Sequence, residues 1–159
     1  MEKPDEVLAH NEASILVSAP PDVVYDLVSD LPRMGEWSPE ALGGEWKDGG
    51  SGEAGDWFVG HNRAGEREWT RESEVAVAEP GREFTFVVGG VEANCTWWSY
   101  EMSPVDGGTR LTERWWLVNK TPGVQAMSEE QFQARVALTQ TSIEQTLAAI
   151  KATAESRPR

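Results

Sequence analysis

The chain has 159 residues and carries a formal net charge of −13 at pH 7. This length suits one compact domain that buries roughly 70% of its unfolded surface, so folding requires neither a metal nor a disulfide. Nucleic acids and anionic membranes both require a basic face on the proteins that bind them. The charge therefore predicts a protein that binds neither nucleic acid nor membrane.

Cys95 is the single cysteine, which excludes an intramolecular disulfide. The first residues, MEKPDEVLAHNE, contain no apolar run or basic leader, and no segment approaches the roughly 20 apolar residues of a membrane helix. Patterns typical of zinc, phosphate or dinucleotide sites do not occur. We expect a cytoplasmic protein without metal or cofactor, forming a single domain over residues 1–159 with a loose polar leader at residues 1–11.

The first third of the chain predicts one strand and two short helices. Ala13, Ile15 and Val17 alternate with polar or solvent-facing neighbours, which is typical of a strand. Pro20-Pro21-Asp22 opens a helix, because proline fits the first helical turn. Pro32 ends that helix, and LPRMGEW predicts a second helical turn.

From Gly43 onward the apolar residues recur with a period of two, which predicts six further strands. Turn residues separate them, and short connections make consecutive strands antiparallel neighbours. The predicted strands read GGEWKDG, GDWFVGHNR, EREWTRESEVAVA, REFTFVV, ANCTWWSYEM and TRLTERWWLV.

The C-terminal segment predicts one long helix. Ser128 and Gln131 fit a capping box. Apolar residues then follow at helical spacing from Phe132 to about Ser156, a length of about 40 Å at 1.5 Å per residue. The predicted fold class is α+β, with a seven-stranded antiparallel curved sheet, two short helices and one long C-terminal helix.

Several segments resemble those of a known superfamily. They are APPDVVYDLVSDLPRMGEWSPE, GDWFVGHN, EPGREFTFVV, WWSYEMSPVDGGTRLTE and RVALTQTSIEQTLAAIKATAE. In their order and motifs they resemble the helix-grip, birch-pollen-allergen-like superfamily of lipid-transfer-like and polyketide cyclase/dehydrase-like proteins. The resemblance implies a ligand cavity between the sheet and the long helix. Because this architecture serves carriers, receptors, cyclases and hydrolases, the function has to be argued from the site.

Alternation along each strand predicts which side chains face that cavity. Glu101 is expected to face water, which turns Trp98 and Tyr100 inward; Glu72 likewise turns Trp69 and Arg71 inward. The side chains predicted to line the cavity are Trp37, Phe58, Asn62, Trp69, Phe84, Phe86, Thr96, Trp98, Met102 and Trp115, with Val136, Gln140 and Ile143 on the long helix. Val75 and Val77 continue the inward face of the Trp69 strand. For any single tryptophan, ordinary core packing is the alternative.

Arg71 and Glu113 are predicted on this otherwise apolar face, where an isolated charge costs several kcal/mol. Each needs a partner, either the other residue or a ligand or water. A structural salt bridge and a ligand-orienting role are the main alternatives, and catalysis is a third. The Tyr100 hydroxyl points into the cavity or bonds to a backbone carbonyl.

Trp97 and Trp116 fall on the opposite face of neighbouring strands. If both rings are exposed, they form an apolar surface suited to a homodimer.

Three functions remain open from the sequence. The first is binding of a small hydrophobic molecule that is aromatic, polyketide-like or lipid-like. The second is a cyclase or dehydratase in which Glu113 is the general base and Arg71 or Tyr100 polarises a carbonyl. The third is an interaction module without a ligand, which a sheet filled by its own side chains would favour.

Overall fold

The structure is a computed structural model that describes residues 3–39 and 41–156. Residues 1–2 of the predicted leader and residues 157–159 of the predicted domain lie outside the described residues. The elements in chain order are β1 (Ala9–Val17), α1 (Pro21–Val28), a 3₁₀ helix (Leu31–Glu36), β2 (Ala41–Trp46), β3 (Trp57–Ala64), β4 (Arg67–Glu79), β5 (Glu83–Val88), β6 (Thr96–Val105), β7 (Gly108–Leu117), α2 (Pro122–Gln125) and α3 (Glu129–Glu155).

The strands form one antiparallel sheet in the order β1-β7-β6-β5-β4-β3-β2. Short turns between consecutive strands make β2 to β7 neighbours in sequence order, and β1 closes the far edge against β7. The sheet curves around α3, which confirms the predicted α+β fold class with its long C-terminal helix.

Several strand boundaries differ from the prediction, and one short helix was not predicted. Strand β1 begins at Ala9, inside the predicted leader, because it pairs with β7 from Leu117 onward. Strand β6 begins at Thr96 rather than Ala93, since Asn94 adopts a φ of 52°, which breaks the extended conformation. The short helix α2 was not predicted; it is capped by the Thr121 side chain, which accepts a hydrogen bond from the Val124 N–H.

Helix α3 has the predicted capping box at its start. The Gln131 N–H donates to the Ser128 hydroxyl and the Ser128 N–H donates to the Gln131 side chain. The Asn11 amide donates to the Val136 carbonyl at 2.9 Å, and the Lys151 ammonium donates to the Leu16 carbonyl at 2.8 Å. These two bonds show that α3 and β1 run in the same direction, so the start of α3 lies at the end of the sheet where β1 begins.

The main core lies between the sheet and α3. The second half of α3 is the most deeply buried part of the helix, with Ile143, Leu147 and Ile150 at most 2% exposed. The first half is less deeply buried, because Phe132 and Val136 are only partly covered. The concave side of the domain is therefore closed at one end and looser at the other.

The opposite, convex side of the sheet carries a second small cluster. Trp97 and Trp116 stack there at 5.6 Å between ring centroids, with 7° between their planes. They are 7% and 0% exposed, respectively, and Val7 from the segment before β1 packs against them. The expectation that these two rings are exposed is therefore wrong, because they pack against each other and against Val7; the homodimer itself stays a prediction.

Among the described residues, no helix is both long and apolar enough to cross a membrane.

Candidate functional site

The pairing register arranges the concave face in successive rows across the sheet. Starting from the end where α3 begins, one row contains Phe58, Ser73, Val88 and Thr96. The second row contains Val75, Phe86, Trp98, Trp115 and Asn11. The third row contains Ala78, Phe84, Tyr100, Glu113 and Ala13. Side chains two residues apart on a strand are about 7 Å apart, so each row is one step deeper than the last.

Aromatic rings dominate the outer two rows. Phe58 and Phe86 meet edge to face at 5.2 Å, and Trp98 and Trp115 lie 6.4 Å apart between ring centroids. Trp98 is half-buried, whereas Trp115 is 7% exposed. The predicted inward placement of these rings is confirmed, and Trp98 offers a partly uncovered aromatic face.

The deeper row holds a polar pair. Tyr100 and Glu113 are directly opposite each other on β6 and β7, and their side chains hydrogen bond. They are 5% and 2% exposed, and the other carboxyl oxygen, Oε1, has no hydrogen-bond partner among the described residues. The pair is therefore a polar island at the base of an apolar, aromatic face.

Burial controls the protonation of this pair. Desolvation raises the pKa of Glu113 from 4.5 to about 8, although the hydrogen bond from Tyr100 lowers it in part. Desolvation also raises the pKa of Tyr100 well above its usual range, with a further contribution from the Glu113 charge. At pH 7 the pair therefore consists largely of a neutral carboxylic acid and a neutral phenol, which suits hydrogen bonding within an apolar site.

Arg71 and Glu113 do not form the salt bridge considered from the sequence. Arg71 is exposed and donates from Nη1 to the Thr70 carbonyl at 2.9 Å. Alternation places Arg71 on the concave face, one row outside Ser73, whereas Glu113 lies two rows deeper than Ser73. Separation along the strands thus explains why Glu113 relies on Tyr100 instead.

A bulge corrects one predicted face assignment. The β4–β5 register shifts between Val75 and Val77, so Ala78 rather than Val77 pairs with Phe84 and packs against the main core. The extra residue reverses the alternation beyond that point. Sequence periodicity alone contains no signal for this shift.

The remaining predicted residues divide between core and surface. Met102 and Ile143 are buried core residues, and Trp37 is buried with Arg33 over its ring at 5.4 Å. Val136 packs on the margin of the core. Half-buried residues on the outer part of the concave face are Asn62, Trp69 and Thr96.

Gln140 links α3 to the edge strand β1, and its predicted contact with a ligand stays a prediction. Its side-chain amide donates to the Glu12 carbonyl and to the Glu144 carboxylate, both at 3.2 Å. These bonds tie α3 to the edge strand β1, so Gln140 faces the strand backbone rather than the centre of the sheet.

Two further residues, at the end of the sheet where α3 begins, were not predicted from the sequence as part of the site. Asn11 is 8% exposed on the concave face and fell within the predicted leader. Arg67 lies over Trp69, with Cζ 5.2 Å from the ring centroid. Alternation from Ala13 back to Asn11, and from Trp69 back to Arg67, was the available signal for both.

The sequence profile of the family described as polyketide cyclase / dehydrase and lipid transport matches residues 9–155. A Polyketide_cyc-like protein from Corynebacterium glutamicum, solved by solution NMR, is 37% identical, with a TM-score of 0.67 over 94% of this chain and 93% of that one. No curated protein matches the sequence at a significant level.

Two more distant structures share the fold. The Zhui aromatase/cyclase from Streptomyces sp. R1128 is 18% identical, with a TM-score of 0.66 and coverage of 94% and 95% of the two chains. A di-domain ARO/CYC from the steffimycin biosynthetic pathway is 15% identical, with a TM-score of 0.75, and 95% of this chain aligns with 52% of it. With its profile match from β1 to the end of α3, the chain belongs to the polyketide cyclase / dehydrase and lipid transport family.

Proposed function

We propose that this protein binds a small hydrophobic, aromatic-containing molecule between the outer rows of the concave face and the first half of α3. The observation that carries the proposal is the half-buried Trp98 beside Trp115, on the side of the core where Phe132 and Val136 are also only partly covered. Partly covered aromatic rings supply large apolar contact and stacking area at little entropic cost.

The Tyr100–Glu113 pair gives this site its polar selectivity. A neutral carboxylic acid and a phenol donate and accept hydrogen bonds without the cost of a buried charge. A ligand carbonyl or hydroxyl that reaches the pair would gain a hydrogen bond, in keeping with Glu113 Oε1, which has no partner among the described residues. This favours a ligand with one polar atom at its deep end.

Titration with N-phenyl-1-naphthylamine, a neutral aromatic dye that fluoresces in apolar surroundings, tests the proposal. Trp98→Ala should weaken dye binding about tenfold, because the ring contact and the buried apolar area are both lost. Trp57→Ala is the matched control, since Trp57 is also half-buried but packs on the convex side against Gly90. Equal losses in both variants, or none in Trp98→Ala, would exclude the concave face as the site.

The raised pKa of Glu113 favours a second candidate function, enolisation of a bound ketone. Ionised Glu113 would remove a proton from the carbon next to the carbonyl, and the Tyr100 hydroxyl would donate a hydrogen bond to the enolate oxygen. Only the ionised fraction acts as a base, so the rate should rise as the pH passes about 8.

Exchange of the protons next to the carbonyl of 2-tetralone for solvent deuterium, followed by NMR, tests this chemistry. Glu113→Gln should abolish the protein-catalysed exchange while dye binding is retained. Glu66→Gln, in the exposed β3–β4 turn, is the control for loss of one carboxylate. Exchange that persists in Glu113→Gln would remove Glu113 as the base and leave the binding proposal standing.

A further inference from the structure

Arg67 and Arg71 lie on the same face of β4 with Trp69 between them. The Arg67 guanidinium covers the Trp69 ring, and within the described part of the chain Arg71 bonds only to the Thr70 carbonyl. Among the described residues, neither has a carboxylate within ion-pair distance, although the chain has 27 acidic and only 14 basic residues. Carboxylates do pair with other arginines, namely Arg33, Arg63, Arg82 and Arg114.

These two arginines stand at the open end of the proposed binding face. Ser73 pairs with Val88 at the end of β5, so the residues before Ser73 extend beyond β5 at the end of the sheet where α3 begins. Arg71 is one row outside Ser73, and Arg67 is two rows further out.

The concave face beside Arg71 carries no side chain on β3, because the cross-strand partner of Arg71 is Gly60. A Cβ atom built on Gly60 would make ordinary contacts, at 3.8 Å with the Arg71 carbonyl oxygen and at 3.9 Å with the Phe58 ring. Gly60 therefore places no side chain between Arg71 and the Phe58 ring.

We propose that the ligand of this protein is an anionic amphiphile, with its hydrophobic body on the aromatic rows and its anionic group on Arg67 and Arg71. This inference rests on the proposed binding function and specifies its ligand class. Guanidinium groups present several N–H donors in a plane that matches a carboxylate or sulfonate. A chain with a net charge of −13 repels anions in general, so such a ligand requires a local pair of arginines that, among the described residues, have no carboxylate partner.

Two dyes with the same aromatic body test the inference. The 8-anilino-1-naphthalenesulfonate anion differs from neutral N-phenyl-1-naphthylamine by one sulfonate group. The measured quantity is the ratio of their dissociation constants, since this ratio isolates the contribution of the anionic group. In Arg67→Gln/Arg71→Gln, the preference for the anionic dye should fall about tenfold, and in the unchanged protein it should weaken with added salt.

Arg110→Gln is the matched control. Arg110 is exposed on β7, pairs in register with Leu16 and Ser103, and lies at the opposite end of the sheet. This variant changes the net charge in the same direction, by one unit instead of two, and should leave the dye ratio as it is in the unchanged protein.

The outcomes separate the inference from the function on which it rests. If the neutral dye binds but the ratio is the same in the double variant, the arginines do not hold the anion and the binding function stands. If Arg110→Gln lowers the ratio as much as the double variant, general charge explains the effect and the inference is overturned. If neither dye binds, the proposed binding function fails and the inference fails with it.

Discussion

Glu113 is the residue whose chemistry depends most strongly on its surroundings. It is a carboxyl group at 2% exposure, and burial disfavours its charged form more than the hydrogen bond from Tyr100 favours it. An exposed glutamate in a β-strand would be ionised at neutral pH. Burial thus converts a common acidic residue into a neutral hydrogen-bonding group or a base that functions in mildly alkaline conditions.

The first residue-scale prediction concerns the pH dependence of stability. The pKa of Glu113 is about 8 in the folded protein against a usual value of 4.5, so the folded state binds the proton more tightly. Its contribution to stability is fully present below pH 4.5, declines between pH 4.5 and 8, and is lost above that, a total of roughly 5 kcal/mol. Urea unfolding of the protein and of Glu113→Gln across this range should show the decline only in the former.

Glu66→Gln is the control for that comparison because its side chain is exposed in a turn. It should retain the full pH dependence. If the free energy of unfolding changes with pH in the same way in the unchanged protein and in Glu113→Gln, Glu113 is already ionised in the folded protein across this range.

The second residue-scale prediction concerns Tyr100. Its hydrogen bond lowers the pKa of Glu113, so Tyr100→Phe should raise that pKa further and move the upper end of the decline above about pH 8. The lost hydrogen bond should also cost about 1–2 kcal/mol of stability at low pH. The same urea series measures both effects. If the pH at which the decline in stability ends is lower in Tyr100→Phe than in the unchanged protein, the assigned hydrogen bond is contradicted.

At the scale of elements, the contact between β7 and β1 leaves no room for a side chain at Gly108. A Cβ atom there would lie 2.0 Å from the Val17 carbonyl oxygen, and backbone cannot move aside as a flexible side chain can. Gly108→Ala should therefore destabilise the protein by about 3 kcal/mol in urea unfolding.

Gly123→Ala is the matched control for Gly108→Ala. A Cβ atom at Gly123 would meet only the Thr121 hydroxyl oxygen, at 4.0 Å, and the position lies in helix α2, where alanine is preferred to glycine. It should be neutral or slightly stabilising. Equal effects of the two changes would show that the close approach at Gly108 relaxes without cost.

At the scale of the whole molecule, the net charge of −13 opposes the compact state through self-repulsion. Sodium chloride should therefore raise the melting temperature at pH 8, by about 3 °C if screening is worth about 1 kcal/mol. Near pH 5 the effect should be smaller, because the sequence pI is about 4.5 and the net charge is low there. A melting temperature that falls with salt at pH 8 would indicate that ion pairs such as Arg114–Glu12 outweigh the repulsion.

The sequence alone determined the elements and most of their faces. Alternation with a period of two placed Phe84, Trp98 and Glu113 on the inward side, and the capping box at Ser128 marked the start of α3. These features are local, because strand geometry and helix capping depend on residues within a few positions of one another.

Only the tertiary structure decided how these faces are used. The bulge in β4 turned Ala78 instead of Val77 towards the core, and the segment containing Val7 covered the Trp97–Trp116 stack. The pairing register left Arg71 exposed at the rim of the sheet and buried Glu113. Each depends on contacts between residues distant in sequence, which also set the solvation and hence the pKa of Glu113. Periodicity identifies the side of a strand, but pairing register and coverage by other segments decide whether a side chain there is exposed, packed or neutralised.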